Sequence, residues 1–361
     1  MTQRESQILS LIAANPMISQ QELADALNIT RSSVAVHISN LLKKGYIAGK
    51  GYVLRTGAYA VVVGGVNMDI GGRSHKKLVA ADSNPGKVSV SLGGVGRNIA
   101  HNMALLGLDV KMLTALGEDV YGNRIVESCK SLGIDASKAL RVADCATSTY
   151  LYIADEDGEM ALALSDMEIC DRITPAYLSA NYQTLQNARV IVADTNVPQE
   201  TLVYLAENCN VPIFCDPVST IKAEKLIPIL GKIHTLKPNR LEAELLSGVK
   251  ILEKQDAEQA AKVLLDKGVQ RVFISMGADG VYAADSREQL WLENIPGQMV
   301  NTTGCGDAVM AALVWAYMED KNLEESALAG LAAGSIAIES METINPAMSA
   351  TALKLRMSEN K

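Results

Sequence analysis

The stretch Asn301-Thr302-Thr303-Gly304-Cys305-Gly306-Asp307 runs directly into an almost entirely apolar segment, Ala308 to Tyr317. We call these seven residues the signature segment. Two glycines before a long apolar run predict a tight turn into the N-terminus of a buried helix. Backbone N–H groups and the helix dipole at such a turn stabilise an anion.

Asp307 gives the signature segment a second possible role. An aspartate beside a bound phosphate can accept a hydroxyl proton while the backbone amides hold the transferring phosphoryl group. The alternative is an ordinary helix start, in which Asp307 only interacts favourably with the dipole. The rest of the chain has to decide between these interpretations.

Length and composition limit the class of protein. A chain of 361 residues favours one large α/β core with an additional unit, and 48% hydrophobic with 20% charged residues is typical of a globular protein. Without a signal sequence or a bilayer-length apolar run, we expect a cytoplasmic protein with no membrane contact. The six cysteines lack metal-site spacing and are expected to be reduced thiols.

Charge is unevenly distributed along the chain. Residues 1–58 contain six Lys or Arg against three acids, which gives +3, and the total of −8 therefore leaves −11 for the remainder. A basic N-terminal segment on an acidic body restricts any nucleic-acid contact to that segment.

Residues 1–55 carry the pattern of a small helical domain with a β-hairpin. Ser19 and Glu22 form a capping box, and Thr30 can cap a third helix. The apolar stripe of that third helix comprises Val34, Ile38, Leu41 and Leu42. Tyr46-Ile47 and Tyr52-Val53-Leu54 flank Gly49-Lys50-Gly51 as a predicted hairpin wing.

This segment resembles the winged helix-turn-helix of bacterial transcription regulators, whose third helix enters the DNA major groove. The resemblance implies that DNA would be faced by Arg31, Ser32, Ser33, His37, Asn40 and Lys44. Arginine and asparagine suit base edges, whereas serine and lysine mostly suit phosphates. The alternative is a module that packs on the body or dimerises without binding DNA.

From residue 59 onward the chain alternates buried strands with helices. The predicted strands are Ala60–Val63, Val190–Val192, Val211–Phe214 and Val272–Ile274, and the predicted helices are Asn98–Leu106, Thr201–Asn208 and Ala257–Lys267. Such alternation predicts a doubly wound α/β sheet, in which ligands bind at the C-terminal ends of the strands.

Several polar and glycine-rich segments fall at those strand ends. Gly64 to Asp69 offers an amide and a carboxylate to a hydroxyl-rich ligand, and Gly93 to Asn98 opens a helix with glycines that admit close approach. Lys237 to Glu242 places an amide and an acid three residues apart, able to orient Mg²⁺-bound water or, alternatively, to cap a helix. Ser275 to Gly280 can border a nucleotide or form a hairpin turn.

The order of these segments resembles the ribokinase/PfkB carbohydrate kinases over residues 59–350. The resemblance implies a ribokinase-like sheet with a small β lid near residues 70–92 and 147–165. It also implies ATP and Mg²⁺ as cofactors, the latter through Asn239 and Glu242 by way of water. Asp307 would be the catalytic base, with Gly304, Cys305 and Gly306 as the anion hole. Sugar hydroxyls would be held by Asn67, Asp69, Gly93, Gly94 and Asn98, and the nucleotide by Lys237, Asn239, Glu242, Ser275, Gly277 and Gly280.

Within this family, Asp216-Pro217-Val218-Ser219, Lys222 and Asn301 look most like the pseudouridine kinases. Lys222 would then contact a carbonyl of the base, its alternative being a solvated lysine. Ribokinase and inosine–guanosine kinases remain open, as does a nucleoside-sensing transcription regulator with a kinase-like body. We also expect a homodimer.

Two residues depart from the family pattern. Many members begin the signature segment with aspartate, which helps to bind an activating monovalent cation, whereas Asn301 is neutral. The sequence therefore does not predict potassium activation. Cys305 replaces a usual alanine, and a thiol at a helix N-terminus is predicted to have a lowered pKa and to be reactive.

Overall fold

The computed structural model describes residues 2–15, 18–44, 46–47 and 59–359. It consists of two compact units, residues 1–58 and residues 59–361. In the described part of the chain, no helix is long and apolar enough to cross a lipid bilayer.

The described residues of the N-terminal unit include three helices: α1 (Gln3–Ala14), α2 (Gln20–Leu27) and α3 (Arg31–Lys43). The predicted capping box is confirmed, because the Glu22 amide donates to Ser19 Oγ (3.2 Å) and the Ser19 amide donates to Glu22 Oε2 (2.7 Å). Thr30 caps α3 by accepting from the Ser33 amide. Asn28 ends α2 with φ of 51°, a conformation that asparagine tolerates well.

The core of this unit is small and apolar, and it comprises Ile8, Ile12, Leu23, Ala24, Val34, Ile38, Leu41 and Ile47. Leu42 was predicted to belong to the buried stripe, but its side chain is 44% exposed. It follows Leu41 by one residue and is therefore turned about 100° around the helix. The predicted wing around Gly49-Lys50-Gly51 lies outside the described residues.

The strands of the larger unit are β1 (Ala60–Val63), β2 (Asn67–Ser74), β3 (Gly86–Gly93), β4 (Val110–Leu113), β5 (Ala115–Gly117), β6 (Leu140–Val142), β7 (Thr149–Ala154), β8 (Met160–Asp166), β9 (Val190–Asp194), β10 (Ile213–Asp216), β11 (Thr235–Leu236), β12 (Arg271–Ser275), β13 (Val281–Asp285) and β14 (Gln289–Leu292). Its helices are α4 (Val95–Leu105), α5 (Val120–Ser131), α6 (Pro175–Ala180), α7 (Tyr182–Gln186), α8 (Gln199–Asn208), α9 (Thr220–Ala223), α10 (Arg240–Ser247), α11 (Lys254–Asp266), α12 (Cys305–Met318), α13 (Leu323–Ala337) and α14 (Ala350–Ser358). Short 3₁₀ helices span Glu168–Arg172, Glu224–Lys232 and Gly277–Asp279.

Eight strands form the central sheet in the order β14-β13-β12-β11-β10-β9-β1-β4. In this sheet the neighbouring strands β12, β11, β10, β9, β1 and β4 pair in parallel. At one edge, β13 pairs antiparallel with β12, and β14 pairs antiparallel with β13. This arrangement confirms the predicted α/β class. β12 and β13 are joined by a hairpin turn, which is one of the two predictions made for Ser275 to Gly280.

Both faces of the central sheet are covered by helices, which explains the continuous apolar runs of its strands. In β1, Ala60 and Val62 contribute to a core shared with α4, α12 and α13, while Val61 and Val63 contribute to a core shared with α8 and α11. All four residues are completely buried. A parallel strand that is buried on both faces is apolar throughout, instead of alternating apolar and polar residues.

A separate four-stranded sheet, in the order β3-β2-β7-β8, corresponds to the predicted lid. β2 pairs with β7 in parallel and with β3 in antiparallel fashion, and β7 and β8 form a hairpin. The lid strand β2 starts at Asn67, so the first polar motif passes directly from the central sheet into the lid. β5 and β6 form a further two-stranded sheet.

Candidate active site

The polar motifs follow the C-terminal ends of adjacent parallel strands. β1 is followed by Gly64, β9 and β10 end in Asp194 and Asp216, and β11 is followed by Lys237. Asp194 and Asp216 are register partners in neighbouring strands. Since ligands of open α/β sheets bind at this edge, the motifs occupy the expected side of the fold.

The signature segment turns sharply into α12. Gly304 is the N-cap residue with φ of 80°, and no side chain of the described residues caps this helix. A Cβ atom at Gly304 would collide with the Thr343 carbonyl oxygen, so the position requires glycine for both reasons. The Cys305 amide donates to the Thr302 carbonyl oxygen over 3.2 Å, and the next amides of α12, those of Gly306 and Asp307, are left for an external acceptor.

Asp307 lies in the first turn of α12 and is only 9% exposed. Asn98 of α4 donates from its side-chain amide to Asp307 Oδ2 over 2.9 Å. Burial raises the pKa of Asp307 to about 8, with a further contribution from the Asp216 carboxylate, whereas the Asn98 amide and Lys237 oppose the shift. A carboxyl group that titrates near neutral pH suits proton transfer.

Lys237 places a buried positive charge beside the glycines of the signature segment. Its Nζ lies 3.2 Å from Asp216 Oδ2, and both side chains are 7% exposed. A Cβ atom built on Gly306 would lie 3.3 Å from Lys237 Nζ. Burial alone would lower the pKa of Lys237, but the Asp216 and Glu242 carboxylates raise it above the usual value, so the ammonium stays charged.

Asn239 and Glu242 form a capping box at the start of α10. The Glu242 amide donates to Asn239 Oδ1 (3.0 Å), and the Asn239 amide donates to Glu242 Oε2 (2.9 Å). The alternative explanation of this pair as a helix cap is therefore confirmed. Glu242 is nevertheless only 3% exposed, and burial raises its pKa. Most capping residues face solvent, so the burial of Glu242 is unusual.

Asp194 organises the glycines that follow β1, although it was not among the predicted site residues. Its two carboxylate oxygens accept from the Gly65 and Asn196 amides at 2.9 and 2.8 Å. A Cβ atom at Gly64 would collide with Asp194 Oδ2. Burial raises the pKa of Asp194 to about 6. An acid directly after an apolar strand was the sequence signal for this residue.

Asn67 and Asp69 are held together at the start of the lid. Asn67 Nδ2 donates to Asp69 Oδ1 over 2.6 Å, and burial raises the pKa of Asp69. A Cβ atom at Gly93 would collide with the Asp69 carboxylate, and Gly94 has φ of 96°. Both glycines are thus required where the helix α4 approaches the lid strand.

A cavity of about 790 Å³ joins the lid to the signature segment. Asp69 lines one side, Tyr150 and Tyr152 of β7 line another, and Asn301 and Thr303 complete the wall. Arg97 and His101 of α4 also line it, and neither was predicted from sequence. The predicted hydroxyl-binding acid and the signature segment therefore face a common space of nucleoside size.

Lys222 lies elsewhere than in the wall of this cavity. Its Nζ donates to Asn196 Oδ1 over 2.6 Å, from the short helix α9. This hydrogen bond differs from the solvated alternative, and the contact of Lys222 with a base stays a prediction. Asn196 is 8% exposed and lies against Gly65, so Lys222 is tied to the turn that follows β1.

A second cavity, of about 530 Å³, lies beside the start of α10. Three predicted nucleotide residues, Asn239, Ser275 and Gly277, line it, whereas Lys237, Glu242 and Gly280 are absent from its wall. Trp291 of β14 and Lys254 of α11 were not predicted, and Lys254 Nζ lies 4.6 Å from the indole centroid. The structure supplies an aromatic surface and a cation next to the predicted residues.

Cys305 differs from its prediction. Burial raises the pKa of the Cys305 thiol most strongly, Lys237 opposes this rise, and the Asp307 carboxylate adds a smaller raising effect. The predicted lowering by the helix N-terminus is therefore wrong, because desolvation of a thiolate outweighs the dipole here. The thiol lies 3.8 Å from the Gly334 carbonyl oxygen in the contact between α12 and α13.

In the N-terminal unit, the predicted DNA contacts differ in their exposure to solvent. Arg31 and Ser32 are exposed, whereas Ser33, His37 and Asn40 are only partly exposed. Ser33 Oγ lies 3.0 Å from Thr30 Oγ1 at the helix start. The exposed residues of α3 include Ser32, Ala35, Val36, Ser39 and Lys43.

Lys44 is engaged within the unit. Its Nζ lies 2.9 Å from the carboxylate of Glu5, a residue that is 1% exposed. The Thr2 backbone amide, followed by Lys44, lowers the pKa of Glu5 to about 2. Lys44 thus ties the end of α3 to the start of α1, a contact that competes with binding to a DNA phosphate.

Two family profiles match the chain. Residues 58–350 match the pfkB family carbohydrate kinases, and residues 1–48 match the winged helix-turn-helix DNA-binding profile. The first match covers most of the chain and all of the strands described above.

Individual relatives agree with these profiles. The chain is 39% identical to the uncharacterized sugar kinase YeiI of Escherichia coli K12, over 97% of both chains. It is 42% identical to the pseudouridine kinase of the same organism, over 82% of this chain and 95% of the relative. The crystal structure of a putative sugar kinase from Clostridium perfringens superposes with a TM-score of 0.78 at 32% identity, covering 85% of this chain and 97% of that one.

Proposed function

Because this chain belongs to the pfkB family of carbohydrate kinases, we propose that it phosphorylates the 5′-hydroxyl of a ribosyl substrate with ATP, and that pseudouridine is the preferred acceptor. The observation that carries the proposal is the hydrogen bond from Asn98 to Asp307. It links the helix that follows the sugar-binding glycines to the carboxylate of the signature segment.

In this mechanism Asp307 accepts the proton of the acceptor hydroxyl, whose oxygen then attacks the γ-phosphorus of ATP in line. The bond from the γ-phosphorus to the β,γ-bridging oxygen breaks, and ADP leaves. With a pKa of about 8, Asp307 holds a proton firmly enough to take it from a developing alkoxide. Asn98 orients the carboxylate through Oδ2 and leaves Oδ1 for the substrate.

The negative charge of the transferring phosphoryl group is matched by the start of α12. Gly304 and Gly306 offer backbone amides, Cys305 offers its amide only in exchange for the Thr302 carbonyl oxygen, and Lys237 adds a charged ammonium beside Gly306. These groups are fixed before substrate binds, so they stabilise the transition state without reorganisation.

A magnesium ion fits the charge balance of this edge of the sheet. Asp216, Glu242 and Asp307 are buried carboxylates, and Lys237 is their common buried cation. No cluster of three metal-ligating side chains occurs among the described residues. Asn239 and Glu242 would therefore hold Mg²⁺ through water, and the ion would neutralise the phosphates of ATP when bound.

Pseudouridine is proposed on the 42% identity to a pseudouridine kinase and on the volume and lining of the larger cavity. Tyr150 and Tyr152, with ring centroids 6.1 Å apart, offer aromatic surface to a base. Asp69 lines the same cavity and would accept from ribose hydroxyls, with Asn67 holding its carboxylate. Lys222 contacts the base in this proposal only if it exchanges Asn196 for a carbonyl oxygen of the ligand.

The test is a phosphorylation screen with ATP over pseudouridine, uridine, inosine, guanosine, adenosine and ribose, followed by mass spectrometry of the product. Pseudouridine is expected to give the highest kcat/KM, and the Asp307→Asn variant is the negative control. Turnover of inosine or ribose in preference to pseudouridine would replace the proposed substrate, and absence of turnover with all six would reject ribosyl phosphorylation.

DNA binding is a second proposed function, carried by the N-terminal unit. It is supported by the family match over residues 1–48, by the +3 charge of residues 1–58 and by the exposed Arg31 at the start of α3. A gel-shift titration at low salt against genomic fragments, with and without pseudouridine, tests both binding and ligand coupling. Unchanged DNA affinity in the presence of ligand would remove the nucleoside-sensing role.

A homodimer is also part of the proposal. It is supported by the apolar residues that the lid exposes, among them Val88 at 69%, Leu162 at 55% and Leu164 at 62% exposure. Such a concentration on one small sheet is typical of an interaction surface. Sedimentation velocity of the wild type and of Leu162→Lys is expected to show a dimer and a monomer respectively.

A further inference from the structure

The residues between β10 and α9 form a turn with an unusual backbone. Val218 has φ of +62°, and the Ser219 amide donates to the Pro217 carbonyl oxygen over 2.6 Å. A hydrogen bond between residues two apart, with positive φ at the centre, defines a rare and strained γ-turn. A β-branched residue in this region is a clear outlier, and it persists only where its surroundings enforce the conformation.

Several hydrogen bonds enforce this turn from outside. The Val218 amide donates to Asp216 Oδ1 over 2.9 Å, and the hydroxyl of Thr195 donates to the Pro217 carbonyl oxygen over 2.5 Å. The Thr195 amide donates to the Asp216 carbonyl oxygen over 3.2 Å, and Thr195 is completely buried. Pro217 has a fixed φ and no N–H group, which further limits the alternatives.

On one side, the turn orients Asp216. Because Oδ1 accepts from the Val218 amide, Oδ2 faces Lys237 at 3.2 Å. Lys237 in turn lies beside Gly306 of the signature segment. Asp216 contributes to the raised pKa of Asp307, so its orientation affects the proposed base as well as the phosphate-binding cation.

On the other side, the turn sets the start of α9. Ser219 is the N-cap residue and accepts from the Lys222 amide at 3.5 Å. Lys222 Nζ donates to Asn196 Oδ1, and a Cβ atom at Gly65 would lie 2.9 Å from Asn196 Cβ. Ser219, Lys222 and Asn196 therefore support the turn that follows β1. That turn leads into the predicted sugar-binding motif.

We propose that Val218 is a positioning residue for phosphoryl transfer. Its strained turn holds Asp216 towards Lys237 and holds Lys222 towards Asn196, so that the phosphate side and the sugar side of the site share one rigid support. The strain is the energetic cost of that rigidity. The inference rests on the proposed kinase reaction, and its test separates the two.

The main variant is Val218→Gly. Glycine adopts φ of +62° without strain, so the melting temperature is expected to equal or exceed that of the wild type. The freed turn lets Asp216 move, and we expect kcat to fall by about five-fold or more. Since Asp216 raises the pKa of Asp307, the acid limb of the kcat/KM profile is expected to move to lower pH.

Two further variants complete the comparison. Val218→Asn keeps a side chain that tolerates the left-handed region, so its loss of kcat is expected to be measurable but smaller than that of Val218→Gly. Ala81→Gly is the matched control. The exposed Ala81, in the loop between β2 and β3, has φ of 60°, so glycine relieves the same backbone strain there as at Val218. It is expected to leave kcat and the pH profile unchanged.

The proposal is overturned if Val218→Gly gains stability while kcat and the pH profile stay at wild-type values. If Val218→Gly does not fold, Val218→Asn takes its place: a lower kcat with the acid limb moved to lower pH supports the proposal, and wild-type kcat with a wild-type pH profile contradicts it. Wild-type turnover in the same assay tests the kinase reaction itself. Should the wild type turn over none of the acceptors, carboxyl-¹³C NMR titration of Asp307 in wild type and Val218→Gly still measures the expected fall in its pKa.

Discussion

Asn98 and Asp307 are 209 residues apart in the chain, yet the Asn98 amide donates to Asp307 Oδ2 over 2.9 Å inside the protein. Asn98 stands one turn into α4 because glycines precede it, and Asp307 stands in the first turn of α12 for the same reason. Two glycine-rich turns therefore bring the side-chain amide of Asn98 and the carboxylate of Asp307 into contact.

Replacing Asp307 with asparagine removes the proposed base while keeping its shape. The Asp307→Asn side chain still accepts from Asn98, so folding and substrate affinity are expected to persist. We expect kcat to fall by about 10²–10⁴-fold, the range that general base catalysis contributes. Steady-state kinetics measure the loss, and isothermal titration with pseudouridine checks that binding is retained. Near-normal turnover would exclude Asp307 as the base.

Removing the Asn98 amide is expected to change the pH dependence. The hydrogen bond stabilises the charged carboxylate and so lowers the pKa of Asp307, opposing burial. In Asn98→Ala that pKa rises above about 8, and the deprotonated fraction at pH 7 falls. The acid limb of kcat/KM should therefore move to higher pH, with activity partly recovered in alkaline buffer. A uniform loss at every pH would point to a role in substrate binding alone.

The glycine-rich motifs, the strands before them and the helix caps could be predicted because they depend on local sequence. Gly304, Gly94 and the Ser19–Glu22 capping box are of this kind. The direction in which the pKa of Cys305 shifts could not be predicted, because it depends on how deeply α13 buries the thiol. Lys44 likewise pairs with Glu5 across 39 residues, a tertiary contact that helical spacing does not reveal.

Lys237 is expected to contribute separately to stability and to catalysis. Lys237→Met leaves Asp216 buried without its ion-pair partner, which should lower the free energy of unfolding by about 3–5 kcal/mol. The double variant Lys237→Met/Asp216→Asn removes both charges and should recover most of that stability without recovering kcat. Urea unfolding and steady-state kinetics measure the two effects. Recovery of kcat in the double variant would show that Lys237 does not act on the phosphates.

Trp291 tests whether the smaller cavity binds the nucleotide. If ATP occupies it, Trp291→Leu should raise KM for ATP by roughly 5- to 150-fold, the equivalent of the about 1–3 kcal/mol that base–aromatic stacking contributes, with little change in KM for the acceptor. Trp315, the second tryptophan, is 2% exposed, so quenching of tryptophan fluorescence by ATP should disappear in this variant. Persistent quenching would place ATP elsewhere.

Asn301 provides a test of cation dependence. Its Nδ2 donates to the Met341 carbonyl oxygen over 3.2 Å, and its Oδ1 accepts from the Thr303 amide over 3.0 Å. The neutral amide thus bridges the signature segment to the loop before α14 through its own donor and acceptor. In Asn301→Asp, a carboxylate oxygen would face the Met341 carbonyl oxygen, and two facing oxygens repel each other unless a cation lies between them. We therefore expect wild-type kcat/KM to be the same in potassium, sodium and choline salts of equal ionic strength, and the variant to lose activity in choline and regain it in potassium. Strong potassium activation of the wild type would mean that the Asn301 amide does not replace the ion.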